Sequence, residues 1–190
     1  MTQNKNKNNI TIVIVIYRED YELLYKTLYE IKNFKIIIID NSNNVRLKKR
    51  IEKEFIIEKY ILNKKNLGFS SGYNQGIKLC STEYVLILNP DCIIDEKSIL
   101  KLHDKLIKNK DCFLTTATSY DQNNKLSYVS GLLPENGEKN TILQVEGDVC
   151  VENVLGSCMF LKTIDFLNIG LFNEIFFNFF SDDDLCRKIK

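Results

Sequence analysis

The sequence is short of histidine and alanine, has no paired cysteines, and carries almost no excess of either charge. Its one histidine is His103, and its six cysteines (Cys80, Cys92, Cys112, Cys150, Cys158 and Cys186) include no C-x-x-C pair. Zinc sites built from Cys and His clusters find no support in such a pattern. The cysteines are scattered, and several sit inside apolar runs, so they read as buried free thiols in a reducing compartment. No apolar run approaches the roughly 20 residues that a membrane span needs. Residues 1–9 are polar and lack the apolar stretch of a secretory signal. The 26 basic and 25 acidic residues leave a net charge of +1. That balance lacks the basic excess of a dedicated nucleic-acid binder. With 44% hydrophobic residues, the chain is not an acidic disordered one either. Alanine occurs once, at Ala117, amid abundant Ile, Lys and Asn. We read this as a nucleotide bias of the source genome, without functional meaning.

What is present is a regular alternation. Residues 10–16, 35–40 and 84–88 are apolar, β-branched runs of strand length, the second with four consecutive isoleucines (Ile36 to Ile39). A run that is apolar at every position predicts a strand buried on both faces, as in a parallel sheet covered by helices. A weaker strand is expected at 59–62. Between these strands, Tyr21, Leu24, Tyr25, Leu28 and Ile31 follow helical spacing behind a candidate N-cap, Asp20. Helices are also expected at 45–55, at 71–80 behind a glycine-rich loop, and at 96–109 after Asp95. The order predicts an α/β chain with a Rossmann-like, mostly parallel sheet and helices on both faces. After about residue 111 the pattern changes. A hairpin is expected, with strands at 113–120 and 126–129 flanking Asp121-Gln122-Asn123-Asn124, then a loop over 132–148, strands at 149–154 and 158–162, and a short helix at 163–168. The aromatic run at 176–180 reads as core, and Ser181 as the N-cap of a last helix. The chain divides into a polar, flexible N-terminus (1–9), a first α/β half (10–110) and a second half of the same domain (111–190).

Ligands of open parallel sheets bind at the carboxyl ends of the strands, so the polar residues there carry the functional reading. Tyr17-Arg18-Glu19 follows the first strand. Asp40-Asn41-Ser42 ends the second and suits either a nucleotide contact or the cap of the next helix. The stretch from Asn66 through Gly68, Phe69, Gly72 and Asn74 to Gly76 lacks the P-loop ending and the dinucleotide spacing. It suits either close helix packing or a backbone that a ligand approaches. Asn89-Pro90-Asp91 suits a turn, or a carboxylate holding Mg2+ or Mn2+ against a diphosphate. Ser181-Asp182-Asp183-Asp184 suits the dipole of a helix N-terminus, or a general base. His103 reads as structural or surface.

In this order the motifs resemble family 2 glycosyltransferases of the GT-A fold, in particular their rhamnosyltransferase-like branch. The likeness rests on the strands ending in Tyr17 and in Asp40-Asn41-Ser42, and on Asn66-x-Gly68-Phe69-x-x-Gly72-x-Asn74-x-Gly76-Ile77. It continues with Leu88-Asn89-Pro90-Asp91 and runs on from Leu155-Gly156-Ser157-Cys158-Met159 to Asp182-Asp183-Asp184-Leu185-Cys186. The resemblance implies an inverting, metal-dependent transfer from a nucleotide diphosphate sugar, UDP- or dTDP-linked, to a saccharide or lipid-linked acceptor in bacterial surface polysaccharide synthesis. Under it, Asp91 holds Mg2+ or Mn2+ and Asp40 contacts the base. Tyr17, Asn41, Asn66, Gly68, Phe69, Gly72, Asn74 and Asn89 line the donor side. Asp182 is the base, with Asp183 as its rival. The sequence departs from the family pattern at Ser181, where relatives carry Glu, and at Asn173, where they often carry Asp. Relatives also continue with further helices, so the last part of the fold is expected to be absent.

Two other readings compete. One is a non-catalytic or truncated relative that binds nucleotide or sugar. The other is a nucleotidyltransferase, ranked lower because Tyr17-Arg18-Glu19-Asp20-Tyr21 contains no glycine. No nucleic-acid partner is expected. The expected location is the cytoplasm, with at most peripheral contact with the inner membrane. Lys48-Lys49-Arg50 and Lys64-Lys65 read as solvated surface.

Overall fold

The structure, a computed structural model, describes residues 6–128 and 147–190. Four strands come from the first part of the chain: β1 (Ile10–Ile16), β2 (Lys35–Asp40), β3 (Lys59–Leu62) and β4 (Tyr84–Leu88). They alternate with α1 (Tyr21–Ile31), α2 (Val45–Glu54), α3 (Gly68–Ile77) and α4 (Glu96–Lys108). Then come the two-residue β5 (Leu114–Thr115), β6 (Ser119–Tyr120), β7 (Leu126–Tyr128), β8 (Cys158–Lys162), α5 (Thr163–Asn168) and α6 (Ser181–Ile189). The main sheet has the order β3-β2-β1-β4-β8-β5. β1 to β4 pair in parallel, while β8 runs antiparallel to both of its neighbours.

Nearly every side chain of β1, β2 and β4 is buried, as continuous apolar runs require of strands covered on both faces. Alternate residues serve the two layers. Ile12, Ile14, Ile36, Ile38 and Leu86 pack against α1, α2 and α4. Val13, Ile37, Ile39, Val85 and Ile87 pack with residues of α3, α5 and α6. Asp20, Asn44 and Asp95 cap α1, α2 and α4 by accepting from Leu23 N, Leu47 N and Ser98 N. His103 is buried, edge-on to Tyr84 and Phe160, as a structural residue. All six cysteines are free.

Several expectations are corrected. The glycine-rich segment is not a loop ahead of its helix, because α3 starts at Gly68. The strand expected at 149–154 does not form. Only an isolated bridge at Asn153 is present there, and the segment adds no strand to the six-stranded sheet. The strand expected over 113–120 is two short ones, β5 and β6. Ser181 is the first residue of α6 and not its cap, a position held by Phe180 in the left-handed region (φ 66°). The aromatic run is not core: Phe177, Phe179 and Phe180 are 55%, 74% and 66% exposed. The hairpin forms as β6–β7, with Asp121 Oδ1 accepting from the backbone of Asn123 and Lys125. Most of the loop expected at 132–148, and Val129 of the strand expected before it, lie outside the described residues. So do residues 1–5 of the N-terminal segment. Within the rest of that segment, Lys7 pairs with Glu96 and Asn9 Nδ2 donates to Glu83.

Candidate active site

Because β1 to β4 are parallel, their carboxyl ends emerge on one edge of the sheet. A cleft of about 420 Å³ opens there. Tyr17 and Glu19 line it after β1, and Asn41 after β2. Asn66, Gly68 and Phe69 follow β3, and Asn89 and Asp91 follow β4. Phe177 and Asn178 close the cleft from the later part of the chain. Seven residues anticipated on the donor or metal side therefore meet here: Tyr17, Asn41, Asn66, Gly68, Phe69, Asn89 and Asp91. Asp40, Gly72, Asn74, Asp182 and Asp183 do not line the cleft.

Asp40 is fully buried. Its Oδ1 accepts from Ser42 N (2.7 Å) and Ser42 Oγ (2.5 Å), and its Oδ2 from Asn44 N and the Tyr60 hydroxyl (both 3.2 Å). Burial, and then the charge of Asp40, push the Tyr60 phenol far up, which keeps it a donor. All four contacts are internal, so the carboxylate organises the turn into α2. Gly72 and Gly76 bring α3 against the sheet. A Cβ on Gly72 would lie 2.8 Å from Val15 Cγ1, and one on Gly76 only 2.4 Å from Val13 Cγ1. Gly68 has φ +78° and would meet the Phe177 carbonyl oxygen at 2.2 Å. Asn74 Oδ1 accepts from Phe172 N (3.0 Å), while its Nδ2 donates to Phe172 O (2.9 Å) and Glu174 Oε1 (3.0 Å). Asn74 thus fastens the 172–178 segment to α3.

The donors at the start of α3 are engaged. Gly68 N donates to Asn66 Oδ1 (2.9 Å), and Phe69 N donates to Phe177 O (2.6 Å). The lining also carries oxygen groups from Glu19, Asn89 and Asp91. Asp91 is exposed. Burial raises the Glu19 carboxyl above its ordinary value of 4.5, and the neighbouring charge of Asp91 adds to the rise. Tyr73, buried beneath, donates its hydroxyl to Leu88 O (2.9 Å) and lies 3.1 Å from Asn89 Oδ1. Oxygen groups from Asp91, Glu19 and Asn89 suit a hard cation such as Mg2+ or Mn2+, which takes one or two carboxylates and fills its shell with water and phosphate oxygens. Among the described residues no cluster of three or more His, Cys, Asp or Glu side chains forms a closed protein cage for a metal.

Asp182 is the second residue of α6. Its Oδ2 accepts from Gly156 N (2.8 Å) and its Oδ1 from Asp183 N (3.1 Å). A Cβ on Gly156 would lie 3.0 Å from Phe69 Cζ and 3.3 Å from Asp182 Oδ2, so the Phe69 ring and this carboxylate flank one point. Asp183 Oδ1 accepts from Asn153 Nδ2 (2.6 Å). Ser181, at the position where the family motif has Glu, is buried, with its hydroxyl 2.7 Å from that of Ser70 on α3. That contact ties the start of α6 to the first turn of α3. Sequence reasoning put Glu19 on the rim without a specific role and read Phe177 and Asn178 as part of a core run. Glu19 stands two residues past Tyr17 on the turn after β1, and the left-handed Arg18 (φ 58°) before it marks a sharp bend that no single residue announces.

A profile of the family described as Glycosyl transferase family 2 matches residues 11–165. The chain is 27% identical over 200 residues to the low-salt glycan biosynthesis hexosyltransferase Agl10 of Haloferax volcanii, covering 96% of this chain and 62% of that protein. It is 25% identical over 205 residues to the rhamnosyltransferase WbbL of Escherichia coli, covering 95% and 76%. GalNAc-T7, solved with UDP, GalNAc and Mn2+, is similar in structure, with TM-score 0.72 and 13% identity over 97% of this chain and 41% of that one. The mannosyltransferase PcManGT from Pyrobaculum calidifontis, solved with GDP-Man and Mn2+, gives TM-score 0.65 and 12% identity, covering 98% and 53%. These likenesses show the GT-A fold. The chain spans less than two thirds of the length of Agl10 and of both solved structures.

Proposed function

The chain belongs to glycosyl transferase family 2, and from that premise we propose that it moves a sugar from a nucleoside diphosphate sugar onto a saccharide or lipid-linked acceptor during glycan assembly. One observation carries this: the ends of parallel strands converge on a cleft lined by oxygen groups (Glu19, Asn89, Asp91) together with amide and aromatic groups (Asn41, Phe69). Asp91 would hold a divalent cation, Mg2+ or Mn2+, which would supply charge neutralisation for the leaving diphosphate. Tyr17, Asn41 and Phe69 bind the nucleoside and sugar side. Asp182, behind Phe69, takes the proton of the acceptor hydroxyl from the side opposite the diphosphate. A single displacement of this kind inverts the anomeric carbon. Asp40 acts from behind, by shaping the turn that presents Asn41.

The donor is UDP- or dTDP-linked in this reading. The hexosyl and rhamnosyl transfer after which Agl10 and WbbL are named supports a hexose or deoxyhexose as the sugar. The assembly of a bacterial surface polysaccharide, at the cytoplasmic side of the inner membrane, is part of the same proposal. No helix among the described residues is long and apolar enough to cross a membrane, which fits peripheral contact. Calorimetric titration with UDP and dTDP, with and without Mn2+, tests the donor site. Metal-dependent binding that vanishes in Asp91→Ala is expected, and metal-independent binding of equal strength in that variant would refute it. A second reading, donor binding without transfer, is favoured by the two N–H bonds that Asp182 already accepts. Transfer that survives Asp182→Asn would remove Asp182 from its role.

A further inference from the structure

A line of buried amides runs beneath the cleft, anchored on a backbone oxygen. The Gly68 carbonyl only accepts, and the Asn41 atom that meets it at 3.1 Å is Nδ2. The Asn41 oxygen is thereby turned to the other side. There Asn63 Nδ2 donates to it at 2.9 Å and donates also to Gln75 Oε1 at 2.8 Å. The Asn63 amide has two hydrogens, and this geometry uses both. Asn63 follows β3 directly, and its backbone N donates to Asp40 O (2.8 Å), which seats it beside Asn41. Asn41 is 3% exposed and Asn63 8%, so bulk water competes little for these bonds. With its oxygen held by Asn63, Asn41 keeps one Nδ2 hydrogen uncommitted to Gly68, on a residue that lines the cleft.

The strand order places Asn41 relative to the rest of the ligand. β1 separates β2 from β4, and neighbouring strands lie about 4.8 Å apart, so Asn41 stands roughly 10 Å from the Asn89–Asp91 wall. A nucleotide whose diphosphate is held there is long enough for its nucleoside end to reach Asn41. We propose that Asn63 is a positioning residue of the donor site. By holding the Asn41 oxygen, it makes this wall a hydrogen-bond donor that recognises an accepting oxygen on the nucleoside part of the nucleoside diphosphate. The proposal rests on the donor-site reading above.

The test is calorimetry on the full chain in Mg2+ with three probes: UDP, dTDP and inorganic pyrophosphate. Asn63→Leu removes both donated bonds and leaves Asn41 free to turn. Its affinity for UDP and dTDP is expected to fall roughly tenfold, the scale of one lost hydrogen bond, with pyrophosphate binding unchanged. Where Asn63→Leu fails to fold, Asn63→Ser, smaller and still polar, replaces it with the same expectation. Equal loss for pyrophosphate and nucleotides would mark a merely structural residue and overturn the proposal. Unchanged nucleotide binding in the variant would overturn it too. Wild-type chain that binds neither nucleotide would instead bring down the donor-site reading, and this role with it.

Discussion

At Gly76 the helix and the sheet stand so close that a single methyl group has nowhere to go. A Cβ there would sit 2.4 Å from Val13 Cγ1, in a layer where Val13, Ile39 and Ile77 are fully buried. Gly76→Ala should therefore destabilise the protein by about 1–3 kcal/mol, the range for an overpacked core, as a lower midpoint in urea. Gly170 is a useful contrast. It has open space around it but φ +86°, so alanine there meets only backbone strain of about 1 kcal/mol. Glu174 gives a residue-scale pH effect. Asn74 and Ser71 donate to its carboxylate at 3.0 Å each, which holds it below the ordinary value of 4.5. Its contribution is present above that value and is lost as the pH falls through the lowered one. The stability gap between wild type and Glu174→Gln should close in acid, as chemical denaturation at a series of pH values would show. Single residues were only half legible in the sequence. Ser42 and Asn44, the close partners of Asp40, lie within four positions of it, whereas Tyr60 lies twenty away. Only the folded chain shows that this carboxylate is used up internally.

Elements were more legible, because the signal for each is spread over many residues. Four consecutive isoleucines do not suit a half-exposed strand, and β2 is indeed buried between two helical layers. The Asp20 and Asp95 caps were readable for the same local reason. The start of α3 was not, since glycines at 68, 72 and 76 imitate a loop until the sheet beneath them is known. The segment 149–154 has the composition of a strand, yet it forms only an isolated bridge at Asn153. The aromatic run misled in the opposite sense. It is apolar by composition, yet it lies exposed between Asn74, which fastens its beginning, and Ser181, which fastens its end. Ser181→Ala would strand the fully buried Ser70 hydroxyl. The expected loss is about 1–2 kcal/mol, read as a lower melting temperature.

At the scale of the whole molecule, the core and the proposed donor site occupy different parts of the sheet. The central strands β1, β2 and β4 supply the most deeply buried residues, while the cleft draws mainly on the turns just past their ends. Asp91 is exposed, and the Cys92 thiol lies 3.9 Å from its carboxylate. Asp91→Ala should therefore melt within a degree or two of wild type, as surface substitutions do, even as metal-dependent nucleotide binding disappears. A scanning calorimeter and a titration on the same sample would show both.

The small β6–β7 hairpin has a different consequence. It forms a sheet of its own, apart from the six-stranded one, and its turn at Asp121-Gln122-Asn123-Asn124 is fully exposed. The entropy of closing a loop grows only with the logarithm of its length, by about 0.6 kcal/mol for each doubling. Extra residues spliced in between Asn123 and Asn124 would lengthen a connection that neither the central strands nor the cleft depend on. That turn is where a peptide tag or a fluorescent label can be added to the chain while the cleft at the strand ends is left as it is.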